Sequence, residues 1–135
     1  MKFPDWLPVF GSTDYRNKKC PQESAEQITF FNRLRREYPD SYGLIAVHPR
    51  NEGKRMHHQA ARQKAEGMAT GASDIIIPGC PAFVCELKRK DHTLCRWQDS
   101  QLEFLEAAKN NGAFVCVSLG HEAAWEAFLE WIGTK

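Results

Sequence analysis

Gly71-Ala72-Ser73-Asp74-Ile75-Ile76-Ile77 and, after a short turn, Phe83-Val84-Cys85-Glu86-Leu87-Lys88 form the stretch whose pattern decides the fold. Three consecutive isoleucines and the run from Phe83 are apolar and β-prone. Pro78-Gly79-Cys80-Pro81 between them has the composition of a hairpin connection. Side chains alternate along a strand, so Glu86 and Lys88 share one face and Leu87 takes the other. The neighbouring hairpin strand can bring Asp74 beside that pair. Two carboxylates and an ammonium on strands that otherwise look like core need an ionic partner.

Outward from this hairpin, both flanks alternate helices with short apolar runs. Upstream, Ile28, Phe31, Leu34 and Tyr38 recur at helical spacing, and Pro39-Asp40 stops them, which predicts a helix over 23–38. Leu44 to Val47 lies between Gly43 and Pro49 and predicts a short strand. His57 to Glu66 is weakly amphipathic and predicts an exposed helix. Downstream, Trp97 to Asn110 predicts a helix stopped at Gly112, Ala113 to Leu119 a buried strand, and Glu122 to Ile132 a final helix. The order predicts an α/β fold, a central mixed sheet covered by helices. Residues 1–20, interrupted by Pro4 and Pro8, predict an irregular arm that packs on the body or on a second subunit, and residues 21–135 a single domain.

Length and composition narrow the classes. The 135 residues, 42% apolar, close one hydrophobic core. No stretch reaches the roughly 20 apolar residues that span a bilayer, and the start lacks the order of a signal peptide, so a cytoplasmic protein without a membrane partner is expected. Five cysteines without a C-x-x-C pair suggest neither a disulfide framework nor a zinc ribbon. The net charge of +1 hides a local asymmetry: His48 to Lys64 holds five Lys/Arg and three His against Glu52 alone. Such a stretch is commonly a solvated surface. Placed just before the acidic strands, it can neutralise phosphates, and Arg50, Lys54, Arg55, Arg62 and Lys64, with Lys90, are the candidate DNA contacts.

Hydrolysis of a phosphodiester explains why these residue types would gather. Carboxylates such as Asp74 and Glu86 hold Mg²⁺ or Mn²⁺, hard cations that take oxygen ligands, and the Leu87 carbonyl can add another. Lys88, a point charge, can orient water or hold the scissile phosphate. By itself D-x₁₁-E-x-K is weak, because Glu and Lys two apart on a strand usually form an exposed pair worth ~0 to 1 kcal/mol. Apolar neighbours, Gly71 three residues before Asp74 as a point for close approach of a ligand, and the basic segment upstream strengthen it.

The run from Pro49 to Gln101 resembles the virus-type replication-repair nuclease (VRR-NUC) family of the PD-(D/E)xK nuclease superfamily. The likeness rests on an acidic helix with Glu23 or Glu26, on Asn51-Glu52-Gly53-Lys54-Arg55, on Gly71 to Asp74, on Glu86 to Lys88 and on Gln101. Ser73 departs from it, standing where a proline is frequent. The resemblance implies a restriction-endonuclease-like fold and divalent-metal cleavage of structured DNA, with Glu26, Asp74, Glu86 and the Leu87 carbonyl as ligands. Glu26 is preferred as the helical acid and Glu23 is the alternative. Lys88 would assist catalysis, and Gln101 would position water or Lys88, or simply cap its helix. Stand-alone relatives imply a homodimer acting on branched DNA such as a Holliday junction. A catalytically silent DNA-binding subunit, a flap-type nuclease and an RNA nuclease stay open. Trp97, near the expected cleft, could stack on a base.

Overall fold

A computed structural model describes residues 1–49 and 57–135. Among the described residues the elements are β1 (Val9–Phe10), α1 (Glu23–Glu37), α2 (Tyr42–Ile45), α3 (His57–Ala65), β2 (Ile75–Ile77), β3 (Phe83–Lys88), α4 (Gln101–Asn110), β4 (Phe114–Leu119) and α5 (His121–Gly133). A 3₁₀ turn, His92–Leu94, follows β3.

The strands form one mixed sheet in the order β1-β4-β3-β2. Central β3 pairs antiparallel with β2, placing Ile75 opposite Cys85, and parallel with β4, placing Glu86 opposite Val117. Parallel neighbours need a crossover, and α4 supplies it. The two sheet faces bury different sets. Phe83, Cys85 and Leu87 face Phe30, Phe31 and Leu34 of α1 and Trp125, Phe128 and Trp131 of α5. Rings there meet mostly edge to face, Phe30 and Trp125 at 5.9 Å and Tyr42 and Trp131 at 5.3 Å between centroids. Each such fully buried large side chain contributes roughly 1.5–3 kcal/mol. On the other face Val84, Val115 and Val117 pack with Leu105 of α4 and Leu7 of the N-terminal segment.

The expected mixed sheet covered by helices is present, and two local expectations are corrected. Leu44 to Val47 is not a strand: the chain turns through α2, and Val47 makes only a bridge to Ile76. Gly43 fits where an added Cβ would lie 2.6 Å from the Tyr38 carbonyl oxygen, so the end of α1 turns back on itself there. A short apolar run cannot express such a packing constraint. The helix expected from Trp97 begins at Gln101, because Ser100 takes a left-handed conformation (φ 69°) and Trp97 is held elsewhere, its Nε1–H donating to the Lys2 carbonyl at 2.7 Å. The first twenty residues are not wholly irregular. They lie on the body, contributing buried Leu7 and the edge strand β1, whose Val9 pairs with Val117.

Among the described residues no helix is long and apolar enough to cross a membrane. All five cysteines are free thiols; Cys20, Cys85 and Cys116 are buried, Cys95 is half-buried and Cys80 exposed.

Candidate active site

Alternation along β3 sends Glu86 and Lys88 to the α4 face, the face opposite Cys85 and Leu87. Extending the Ile75–Cys85 pairing by one residue sets Asp74 across from Glu86, on the same face. β2 begins only at Ile75, so among the described residues no strand pairs with β3 beyond Cys85 on this edge, and Asp74 turns its carboxylate into that gap to accept the Leu87 N–H at 2.9 Å. The next carbonyl along, that of Lys88, points to β4 and accepts from the Gly120 N–H. Residue by residue the polar groups of a strand alternate sides, so the Leu87 carbonyl turns toward Asp74.

The first turn of α1 closes the site. Carboxylate oxygens of Glu23, Asp74 and Glu86 all lie within 4.8 Å of one another. Glu23 and Asp74 are half-buried, and Glu86 has no exposed surface. One Glu86 oxygen accepts from the Gln101 amide at 3.0 Å; the other, Oε2, is buried without a hydrogen-bond partner. Burial, then the negative charge of Asp74, pushes the Glu86 carboxyl well above the usual glutamate value, and Lys88 opposes the shift.

Gln101 organises the other side. Its carbonyl oxygen accepts from Lys88 Nζ at 3.1 Å and from the Gln98 N–H at 2.8 Å while its amide reaches Glu86. Lys88 Nζ also donates to the Arg96 carbonyl at 3.1 Å, lies 3.9 Å from Glu86 Oε1, and sits 5.6 Å from the Trp97 ring centre. The ammonium is thus held at a fixed point beside the carboxylates, and only 2% of Lys88 is exposed.

A cleft of about 800 Å³ opens over this arrangement, lined by Glu23, Asp74, Lys88, Gln101, Arg96 and Trp97. Gly71 lines the cleft as well. Its φ is +80°, and an added Cβ would fall 2.4 Å from the Ser100 backbone, so Gly71 packs against the chain itself.

Glu26, preferred from the sequence as the helical ligand, is elsewhere, and Glu23 is the α1 acid that stands with Asp74 and Glu86. Glu26 Oε2 accepts the His121 backbone N–H at 2.5 Å and lies 3.3 Å from His121 Nδ1. It therefore caps the start of α5, where Gly120 leaves room for it at φ +92°. A carboxylate there satisfies an orphan donor and the positive end of the helix dipole.

Of the candidate DNA contacts, Arg50, Lys54 and Arg55 lie outside the described residues. Arg62 and Lys64 are exposed on α3, Arg62 within 3.3 Å of Glu66. Lys90 is exposed, its Nζ 4.5 Å from the Tyr15 ring centre. None of these three lines the cleft. Unforeseen from the sequence are Arg96, Gln98, which the helix expected from Trp97 would have contained, and His48. His48 Nδ1 lies 2.8 Å from the Asp74 carbonyl oxygen, which can only accept, so that nitrogen carries the proton.

The residues present fit a divalent cation. Octahedral Mg²⁺, with oxygens about 2.1 Å away, spans roughly 4.2 Å between opposite ligands, close to the spread of these three carboxylates. An unpartnered buried carboxylate oxygen is the group such a cation would satisfy. Fold and site together define an α/β domain of restriction-endonuclease-like architecture with an acidic, metal-compatible cluster at the open edge of its sheet. No protein-family model and no curated protein matches the sequence. Among solved structures, one described as a VRR_NUC domain protein superposes with a TM-score of 0.70 at 20% identity, covering 87% of this chain and 93% of that one. The chain has the VRR-NUC fold.

Proposed function

We propose that this protein is a divalent-metal-dependent nuclease of the VRR-NUC type that hydrolyses phosphodiester bonds in structured DNA. The observation that carries the reading is the convergence of Glu23, Asp74 and Glu86 beside Lys88 at an open sheet edge, with one Glu86 oxygen buried and unpartnered. Glu23, Asp74, Glu86 and the Leu87 carbonyl would hold Mg²⁺ or Mn²⁺. Bound there, such an ion lowers the pKa of water and offsets charge gathering on the phosphate oxygens.

The chain's own groups do the rest. Lys88, fixed by Gln101 and Arg96, offers a positive charge toward a phosphate oxygen or the attacking water without reorganising during the reaction. Gln101 acts through Lys88 and Glu86, holding both at their positions. Backbone contacts from Arg62, Lys64 and Lys90, and from Arg50, Lys54 and Arg55, would grip phosphates with little sequence information, so selectivity would follow DNA shape. A homodimer would present two such sites to the two-fold symmetric arms of a Holliday junction.

A panel of labelled four-way junction, flap, duplex and matched RNA substrates, incubated with Mg²⁺ or Mn²⁺, tests the reading. Cleavage of branched DNA in preference to duplex and RNA is expected. Tight binding with no product in either metal identifies a silent DNA-binding subunit instead.

A further inference from the structure

The N-terminal segment crosses the sheet where its parallel strands end. β1, β4 and β3 run parallel, and Gly11, Gly120 and Arg89 are the residues that follow them. Ligands of open α/β sheets gather outside such carboxyl ends. Gly11 passes close enough that an added Cβ would lie 3.0 Å from the Leu119 Cβ. Beyond it the segment is clasped to the residues after β3. Arg89 donates from Nη2 to the Cys20 carbonyl at 2.7 Å and from Nε to the Pro21 carbonyl at 3.1 Å, although 68 residues separate it from Pro21. The buried Asp91 carboxylate accepts the Asn17 N–H at 2.9 Å, and Lys90 Nζ lies 4.5 Å from the Tyr15 ring centre.

This clasp gathers charge that the sequence disperses. Arg16, Lys18 and Lys19 come from one side of it, Arg89 and Lys90 from the other. Arg16 Nη1 donates to the Thr13 and Tyr15 carbonyls at 2.8 Å each, so, like Arg89, it is fixed by neutral acceptors and keeps its charge. Lys18, Lys19 and Lys90 are exposed. Among the described residues none of the five pairs with a carboxylate. Asp14 is the exposed acid between Gly11 and Cys20, while Asp91 is 2% exposed and already accepts from Asn17 and Thr93. In a chain of net charge +1, five cations against so few acids make a local field that draws a polyanion. The patch adjoins the metal cluster: Arg89 follows Lys88, and Pro21 stands two residues before Glu23, within about 7 Å from Cα to Cα. Guanidinium and ammonium groups gathered in this way recognise phosphates, which supply most of the affinity for nucleic acid and carry little sequence information.

We infer that the clasped N-terminal segment, with Arg16, Lys18, Lys19, Arg89 and Lys90, is a second DNA-binding surface that holds backbone phosphates beside the catalytic cleft. It shares only Lys90 with the contacts proposed above. Its link to cleavage rests on the nuclease reading, while backbone binding stands apart from it. Lys18→Gln/Lys90→Gln removes one exposed cation from each side of the clasp and leaves both arginines in place. Lys109→Gln/Lys135→Gln removes the same charge from the last turn of α4 and from the last residue of the chain. Labelled duplex DNA is titrated in Ca²⁺ across a salt series into both variants and the wild type, and thermal melts verify folding. Steady-state cleavage in Mn²⁺ follows on the same proteins.

The patch variant is expected to flatten the slope of log affinity against log salt by about two and to lose at least about tenfold in affinity near 0.1 M salt. The control should change that slope by less than about half as much. On a substrate that is cut, the patch variant should raise KM comparably and leave kcat unchanged, since the contacts are made equally before and during the reaction. Equal effects of the two variants would reduce the patch to net charge and overturn the inference. So would an unchanged slope and affinity, or a fall in kcat at constant KM. Should the wild type cleave no DNA, the nuclease reading fails and the Ca²⁺ titration still decides the patch.

Discussion

Glu86 carries an unusual load for a single side chain: it is wholly buried, one of its oxygens lacks a partner, and Asp74 faces it. Because burial and Asp74 raise its pKa, the metal-free native state keeps the proton to a higher pH than the unfolded chain does. Between the ordinary glutamate value of 4.5 and the raised one, the native state binds more protons, so stability falls as pH rises through that interval. Thermal melts of metal-free protein should show this decline above about pH 4.5, and Glu86→Gln should flatten it, since the amide has no charge to desolvate. Mn²⁺ should raise the melting temperature of the wild type at neutral pH and leave Glu86→Gln nearly unmoved. The two acids of α1 separate in the same assays. Glu23→Ala should weaken Mn²⁺ binding at least about tenfold. Glu26→Ala should preserve it and cost about 1–2 kcal/mol of stability, measured by denaturant unfolding, through loss of the α5 cap.

At the scale of elements, the site depends on contacts between segments distant in sequence. Gly71 and Ser100 press together in left-handed conformations, and that contact fixes where α4 begins and hence where Gln101 points. Gly71→Ala meets both an unfavourable φ and backbone 2.4 Å away, so it should cost about 2 kcal/mol or more in denaturant unfolding. Such pairings explain what was legible from the sequence and what was not. The β2–β3 hairpin was legible because its apolar runs are strong and its turn chemistry local, and alternation then put Glu86 and Lys88 on one face. The start of α4 was not, since a glycine thirty residues upstream sets it. Glu23 and Glu26 stand less than a turn apart on one helix, too close for periodicity to separate cleft from α5. Leu44 to Val47 is too short for its period to reveal a helical turn.

Over the whole molecule, the two faces of the sheet divide the labour. One buries the aromatic cluster of α1 and α5 that anchors the fold; the other interrupts its valines with Glu86 and Lys88 under the cleft. With a net charge of only +1, the DNA binding proposed here would have to draw on local basic segments and a bound cation, and it should then weaken steeply with salt. In the proposed function Glu23, Asp74 and Glu86 gather one divalent cation for phosphodiester hydrolysis. Its most direct test is the rate at which labelled branched DNA is cut in Mn²⁺ by the wild type and by Asp74→Asn, a nearly isosteric change that can still accept the Leu87 N–H. Mn²⁺-dependent cutting by the wild type and a loss of at least about a hundredfold in the variant are expected. Cutting that persists in Asp74→Asn, or proceeds equally with the metal chelated, would contradict the proposed function.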